Sequence, residues 1–310
     1  MYLNAFAANL AGLDMTTTDE FASLIQSAGD LNIPHRLPVQ CWSRQTVVNG
    51  MRFHYLEWGD PANPALVLSH GGNQTAHSWD LVSLVLAQQF HVFVPDHRGH
   101  GDSEQPRDGE MSQVQMAEDL RGLFGAWGVD KPILFGHSMG GILSMFMLSK
   151  HPELVSRVLF VDIAPEPGGT GGTAMRDFAR ANREFDSMEQ FIENVRKYDP
   201  FRSEEHIRRT ARYNLLQRAD GKFVSKHVDR TELRNMVRPT FEDVAVIDCP
   251  ALVVRGGESN VLSPEGAVRF AEAMPQGQTV TVPNCGHNVH SQNTPGFLEV
   301  ALPFIGFRAD

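Results

Sequence analysis

The sequence predicts an α/β protein: a mostly parallel sheet with helices on both faces and a helical segment inserted late in the chain. Three observations carry this. Short, nearly unbroken Val/Leu runs alternate with helix-length amphipathic stretches, the pattern of strands buried on both faces. One such run, Pro132 to Phe135, passes through Gly136-His137-Ser138-Met139-Gly140 straight into the apolar, proline-free stretch from Ile142 to Leu148. The strand–helix rhythm then stops between about 164 and 240 and resumes at Ala251.

Taken in order, residues 1–40 read as a helical extension strapped to the core. Residues 1–13 are apolar and Ala-rich, lack the basic start of a signal peptide, and are expected to form an amphipathic helix. Asp14 to Asp19 offers N-caps for a second helix with Phe21, Leu24 and Ile25 on one face, and Pro34 and Pro38 end that pattern. Gln45 to Val48 and Met51 to Trp58 alternate around Asn49-Gly50, a hairpin signal. Strands are expected at Ala65 to Ser69 and His91 to Pro95, with helices at Leu81 to Leu86 and Met111 to Trp127. After the Ser138 turn comes the strand from Arg157 to Asp162.

Pro165 to Gly172 is flexible by composition, a hinge that would let the inserted segment open and close. The segment to 240 is polar and helical, and its aromatics, Phe185 and Phe223 among them, are expected to form a small core of their own. Arg176, Arg180 and Arg183 recur at helical spacing, as a solvated face or as a grip on a substrate carboxylate. The rhythm resumes with strands at Ala251 to Arg255 and Thr279 to Val282 and helices near 264–274 and 295–306. The expected division is an extension (1–40), a core (41–163 and 241–310) and a helical cap (164–240).

Bulk properties narrow the function. A chain of 310 residues, 42% hydrophobic and 21% charged, is that of a soluble globular protein. With 27 basic against 37 acidic residues, a net −10, nucleic acid and anionic membrane are disfavoured partners. Nowhere is there an apolar run of spanning length. Cys41, Cys249 and Cys285 are too scattered for a disulfide framework or a metal site and fit reduced thiols in a cytoplasmic setting.

The pentapeptide around Ser138 has the form G-x-S-x-G. A strand turning into a helix through one Ser puts that hydroxyl at the tip of a tight bend, above a helix N-terminus that favours negative charge. A hydroxyl needs an adjacent base to become a nucleophile at neutral pH. His287, in Pro283-Asn284-Cys285-Gly286-His287 after a strand, suits that role better than His290, which lacks the Gly-His context.

His70-Gly71-Gly72, the loop Asp96 to Ser103, Gly136 to Gly140 and Gly286-His287, in that order over residues 45–306, resemble the α/β-hydrolase family. The resemblance implies an eight-stranded sheet, Ser138 as nucleophile, His287 as general base and acid, and the backbone N–H groups of Gly72 and Met139 as oxyanion donors. Gly71, Asn73 and His137 would line the substrate, the Asp96 loop would be structural, and neither metal nor organic cofactor is implied. Where the family most often carries its acid, after the strand at 251–255, this chain has Asn260. The acid is therefore assigned to Asp162, with Glu258 as the alternative and an incomplete triad as the third account. The expected activity is hydrolysis of a small-molecule carboxylic ester or lactone by a monomer or homodimer. Alternatives are carbon–carbon bond hydrolysis, as in capped relatives, and a low-turnover receptor on the same scaffold. A cofactor-free peroxidase side activity is allowed in principle. Dehalogenase and epoxide hydrolase chemistry are disfavoured, since those use an Asp where this chain has Ser138.

Overall fold

The N-terminal extension contributes a strand before it forms a helix. In a computed structural model, which describes residues 12–166, 184–227 and 237–308, Leu13–Asp14 (β1) pairs antiparallel with β2 (Cys41–Val48). The helix expected over 1–13 lies outside the described residues except for its last two positions, neither of which is helical: Leu13 begins β1. Thr18 then caps α1 (Asp19–Asp30), which buries Phe21, Leu24 and Ala28. The hairpin forms at Asn49-Gly50, both at positive φ (50° and 75°), and joins β2 to β3 (Met51–Trp58) in antiparallel register.

The next strands are β4 (Ala65–Ser69), β5 (His91–Pro95), β6 (Ile133–His137) and β7 (Arg157–Val161). Between them run α2 (Asp80–Leu86), α3 (Gln113–Trp127) and α4 (Met139–Lys150). Past β7 the chain makes β8 (Glu184–Phe185), α5 (Met188–Tyr198), α6 (Glu204–Asn214), β9 (Leu215–Gln217) and β10 (Phe223–Ser225). It returns through α7 (Phe241–Val244) to β11 (Ala251–Gly256), α8 (Pro264–Ala273), β12 (Gly277–Val282), α9 (Val289–Gln292) and α10 (Thr294–Ile305).

Among the described residues the main sheet has nine strands in the order β1-β2-β3-β5-β4-β6-β7-β11-β12, parallel from β5 onward. The ninth strand beyond the expected eight is β1. Burial on both faces is why these strands read as Val/Leu runs. Along β6, Ile133 and Phe135 enter one core with Trp58, Trp79 and Phe297, while Leu134 enters the other with Phe93, Phe160 and Phe270. The chain lays β5 on one side of β4 and β6 on the other, so the strand order reverses there. The carboxyl ends of strands at such a reversal leave a crevice for a ligand. Ser138 follows β6 and the His70 loop follows β4, so both flank it.

The inserted stretch is not purely helical. Besides α5 and α6 it carries a three-stranded antiparallel sheet, β8-β10-β9. Ile192, Val195 and Ile207 form one small core and Phe185, Ala211 and Leu215 another, as an element with its own interior requires. The glycine-rich hinge and the three arginines at 176–183 lie outside the described residues. The helix α6 is fastened to the core. Arg209 Nη1 donates to Asp80 Oδ2 at 2.9 Å, both side chains 3% exposed. The Tyr213 ring stacks on His77 with centroids 3.3 Å apart, and α1 packs alongside.

Candidate active site

Ser138 takes φ 50° and ψ −113°, a conformation side chains rarely adopt, between the end of β6 and the start of α4. Its flanking glycines are needed for space. A Cβ on Gly136 would sit 2.8 Å from the Gly140 carbonyl, and one on Gly140 would run into the backbone of Ser69 on β4. The Ser138 N–H donates to the Val161 carbonyl at 3.1 Å, tying the bend to β7.

His287 Nε2 lies 2.9 Å from Ser138 Oγ, and His287 Nδ1 lies 2.8 Å from Asp162 Oδ2. Asp162 follows β7, is fully buried, and also takes a positive φ of 50°. Its Oδ1 accepts from the Gly256 N–H at 2.9 Å, and its Oδ2 also accepts from Ser259 Oγ at 2.5 Å. A carboxylate only accepts, so it calls for a proton on His287 Nδ1 and leaves the Nε2 lone pair toward the serine hydroxyl. The loop after β11 thus reaches Asp162 through Ser259, while its neighbours Glu258 and Asn260 are exposed. Glu258 contributes a backbone bond instead, its N–H donating to the Cys285 carbonyl at 2.9 Å.

Three further bonds hold the loop that carries His287. Gly286 N–H donates to Gln292 Oε1 at 2.7 Å, and Gln74 Nε2 donates to Asn288 Oδ1 at 3.1 Å. His137 Nε2 lies 3.0 Å from the His287 carbonyl, with its Nδ1 3.1 Å from Gln74 Oε1. Burial, reinforced by His290 and His287, pushes the His137 imidazole well below its ordinary value. A neutral ring has one N–H, so it donates to one of these two acceptors.

Other residues expected at the site fall into two groups. His137 is buried with both nitrogens against protein acceptors, and Gly71 is buried with its N–H donating to Gln74 Oε1 at 2.9 Å. Both therefore brace the wall behind the dyad rather than face open space. Gly72 has no atom within 4 Å of where a Cβ would stand, and Asn73 is exposed at φ 61°. Met139 opens α4 directly beside Ser138. His290, the rival base, is sandwiched: its ring stacks 3.9 Å from Trp79 and meets Phe297 edge-on, and burial, then Arg202 and His287, hold it neutral.

Four residues that contribute to the site escape a reading of the sequence. Ser259 lies between Glu258 and Asn260, but a hydroxyl carries no charge and so gives no sign of serving an acid. Gln74, three residues past Gly71, and the pair Gln292 and Asp199 carry no local signal at all.

Among the described residues one cluster could hold a cation by proximity: ligand atoms of His54, Asp96 and Asp102 lie within 4.8 Å of one another. Its donors are already engaged. His54 Nδ1 and Nε2 lie 2.7 Å from Asp96 Oδ2 and 2.9 Å from Ser43 Oγ, and Asp96 also accepts from the N–H groups of Ala76 and Asp102 at 2.6 and 2.9 Å. Burial opposes the Asp96 charge, but His54 outweighs it and holds the carboxyl far below the usual range. This is a hydrogen-bonded hub that shapes its loop, not a vacant ligand set. No helix of the described residues is long and apolar enough to cross a membrane.

Comparison with known proteins identifies the family and the fold. The sequence profile of the Alpha/beta hydrolase family matches residues 66–299. The chain is 29% identical over 263 residues to the sn-1-specific diacylglycerol lipase ABHD11 of Mus musculus, covering 80% of this chain and 82% of that one. It is 25% identical over 304 residues to the esterase Rv0045c of Mycobacterium tuberculosis, covering 95% and 98%. Solved structures of that esterase and of E-2-(acetamidomethylene)succinate hydrolase share the fold. Their TM-scores are 0.74 and 0.77 at 23% and 22% identity, with 94% and 86% of this chain covered and 100% and 99% of theirs.

Proposed function

The chain belongs to the alpha/beta hydrolase family, and on that footing we propose that it hydrolyses carboxylic esters or lactones by acyl transfer through Ser138. The observation that carries this is the run of contacts from Ser138 Oγ to His287 Nε2 at 2.9 Å and from His287 Nδ1 to Asp162 at 2.8 Å. Ser138 attacks the ester carbonyl while its proton passes to His287. The imidazolium so formed lies against the Asp162 carboxylate. The tetrahedral oxyanion is received by the N–H groups of Met139 and Gly72, each such donor being worth about 3–4 kcal/mol of barrier. His287 then protonates the departing alkoxide, and a water activated by the same ring releases the acid from Ser138.

The mouse and mycobacterial relatives are described as a lipase and an esterase, which supports this class over others the scaffold hosts. The receptor alternative rests on Asn260; with Asp162 at hydrogen-bond distance from His287 it loses that ground. Residues 184–227 act as the lid. Phe201, at the α5–α6 corner, places a ring carbon 3.4 Å from where a Gly286 Cβ would stand, next to His287. The lid sets the size of acyl group admitted.

The test is a panel of p-nitrophenyl esters of rising chain length run beside lactones, with Ser138→Ala as control and a fluorophosphonate to label the serine. Turnover and stoichiometric labelling that both vanish in Ser138→Ala are expected. A folded wild-type protein that neither labels nor turns over any member of the panel would overturn the proposal.

A further inference from the structure

We propose that Gln292 is a positioning residue that ties the alignment of His287 to the seating of the α5–α6 corner. This rests on the esterase reading and adds a device to it. Of the three bonds described above for the His287 loop, two lead into the core, through His137 on β6 and Gln74 in the loop after β4. The third leads out of it. Gln292 Oε1 accepts from the Gly286 N–H at 2.7 Å, and Gln292 Nε2 donates to Asp199 Oδ1 at 2.8 Å.

Asp199 belongs to the insertion. It ends α5, is 1% exposed, and is held from the other side by Arg202, whose Nε donates to Oδ2 at 2.7 Å. The Phe201 N–H donates to Oδ1 at 3.3 Å, so the whole corner 199–202 is organised around this one carboxylate.

The chemistry of the pair makes the link directional. A carboxylate offers only acceptors, so Asp199 dictates which end of the Gln292 amide faces it. With the NH2 taken by Asp199, the amide carbonyl is presented to Gly286. Withdraw Asp199 and the Gln292 amide is held by the Gly286 N–H alone, so the side chain can swing away and that bond weakens. Gly286 is the residue immediately before His287, so the orientation of that peptide sets where the imidazole points. A misplacement of about 1 Å at the reacting groups costs up to about a hundredfold in rate. The seated corner thereby completes the dyad, and a lifted corner loosens it.

The experiment is a double-mutant cycle on the full chain: Asp199→Ala, Gln292→Ala and both together. Its readouts are kcat and KM on a p-nitrophenyl ester, the acid limb of the pH profile, the rate of fluorophosphonate labelling of Ser138, and thermal stability. Each single variant is expected to lower kcat and the labelling rate by about 10- to 100-fold, to move the acid limb, and to leave KM within a few-fold. The double variant is expected to be no worse than the poorer single.

A second arm uses charge. Gln292→Glu keeps an acceptor for Gly286 but sets a carboxylate against Asp199, and Asp199→Asn in that background restores a donor. Loss in the first and recovery in the second are expected. Losses that multiply in the double variant, losses confined to KM, or no recovery by Asp199→Asn overturn the proposal. Wild-type protein that labels and turns over while the Gln292 variants do the same unchanged defeats this inference alone, whereas unreactive wild-type protein defeats the esterase reading beneath it.

Discussion

Asp162 and His287 meet at 2.8 Å although 125 positions separate them in the chain. The carboxylate stands after β7 rather than after β11, where the family more often has it. The β11 loop still takes part, since Ser259 and the Gly256 N–H both donate to Asp162.

Asp162→Asn is expected to lower kcat by about four orders of magnitude while the protein stays folded, because an amide offers the wrong hydrogen-bond partner to one imidazole tautomer. Glu258→Gln and Asn260→Asp, both at exposed positions, are expected to stay within about twofold of wild type by the usual modesty of surface changes. Ester turnover with parallel thermal melts checks all three. A large loss in Glu258→Gln with little in Asp162→Asn would move the acid to the β11 loop.

Ser259→Ala removes one donor from a fully buried carboxylate. Hydrogen bonds to charged groups contribute about 1.5–3 kcal/mol, so a loss of roughly ten- to a hundredfold in kcat is expected if that support acts on the charged dyad. Ser259→Thr, which keeps the hydroxyl, should recover most of it. Equal activity in Ser259→Ala would reduce the residue to a loop-former, consistent with its second role of accepting from the Val261 N–H.

Stability is expected to fall as the medium turns acidic. Burial lowers the pKa of His70, His137, His206 and His290, so each is neutral when folded. Unfolded, each titrates near 6.5, and below that value the unfolded chain binds more protons than the folded one. Every such ring then takes away up to about 1.4 kcal/mol per pH unit. His54 has the opposite sign. Burial opposes its charge, but Asp96 raises its pKa, so its contribution is present below the unfolded value and is lost as pH rises through the folded one. Four against one gives a net loss toward acid, measurable as urea midpoints from about pH 7 to 5. His206→Leu should flatten the slope, since neither ring nitrogen has a partner among the described residues and Leu forfeits no hydrogen bond there.

The Arg209–Asp80 pair tests how α6 is held. Burial works against the Asp80 charge, and His77 and Arg209 overcome it. Arg209→Met leaves that carboxylate without its guanidinium partner and is expected to cost about 3–5 kcal/mol in urea unfolding. Arg209→Met with Asp80→Leu removes the charge as well and should recover most of the loss. A single variant costing under about 1 kcal/mol would mean that the pair is not what fastens the helix.

Features governed by a few adjacent residues are legible in the sequence. Asn49-Gly50 specifies its hairpin because both residues must take positive φ, and the turn at Ser138 is specified by two glycines that admit no Cβ. The strands buried on both faces announce themselves as apolar runs. The illegible part depends on where distant loops meet. An Asp after a strand is as good a turn cap as a partner for histidine, and nothing near Gln292 or Asp199 says that they touch. The strands β1, β8, β9 and β10 have two or three residues each, too few for an alternation to register. His137 sits beside the nucleophile in sequence, yet its side chain packs into the wall, because it is the last residue of β6 while Ser138 stands on the bend beyond it.

Two of the attachments of the insertion differ in kind, and a third, Lys226 Nζ to Asp102 Oδ1 at 2.8 Å, holds its β10 end. The α6 side is secured by a desolvated ion pair and a stacked ring, while the α5–α6 corner rests on hydrogen bonds around one carboxylate at the rim of the crevice. If the entrance widens, the α5–α6 corner is expected to give way before α6 does, since it rests on hydrogen bonds. On the acyl-transfer route proposed above, the alcohol has to clear this rim before water takes its place for the second half of the reaction.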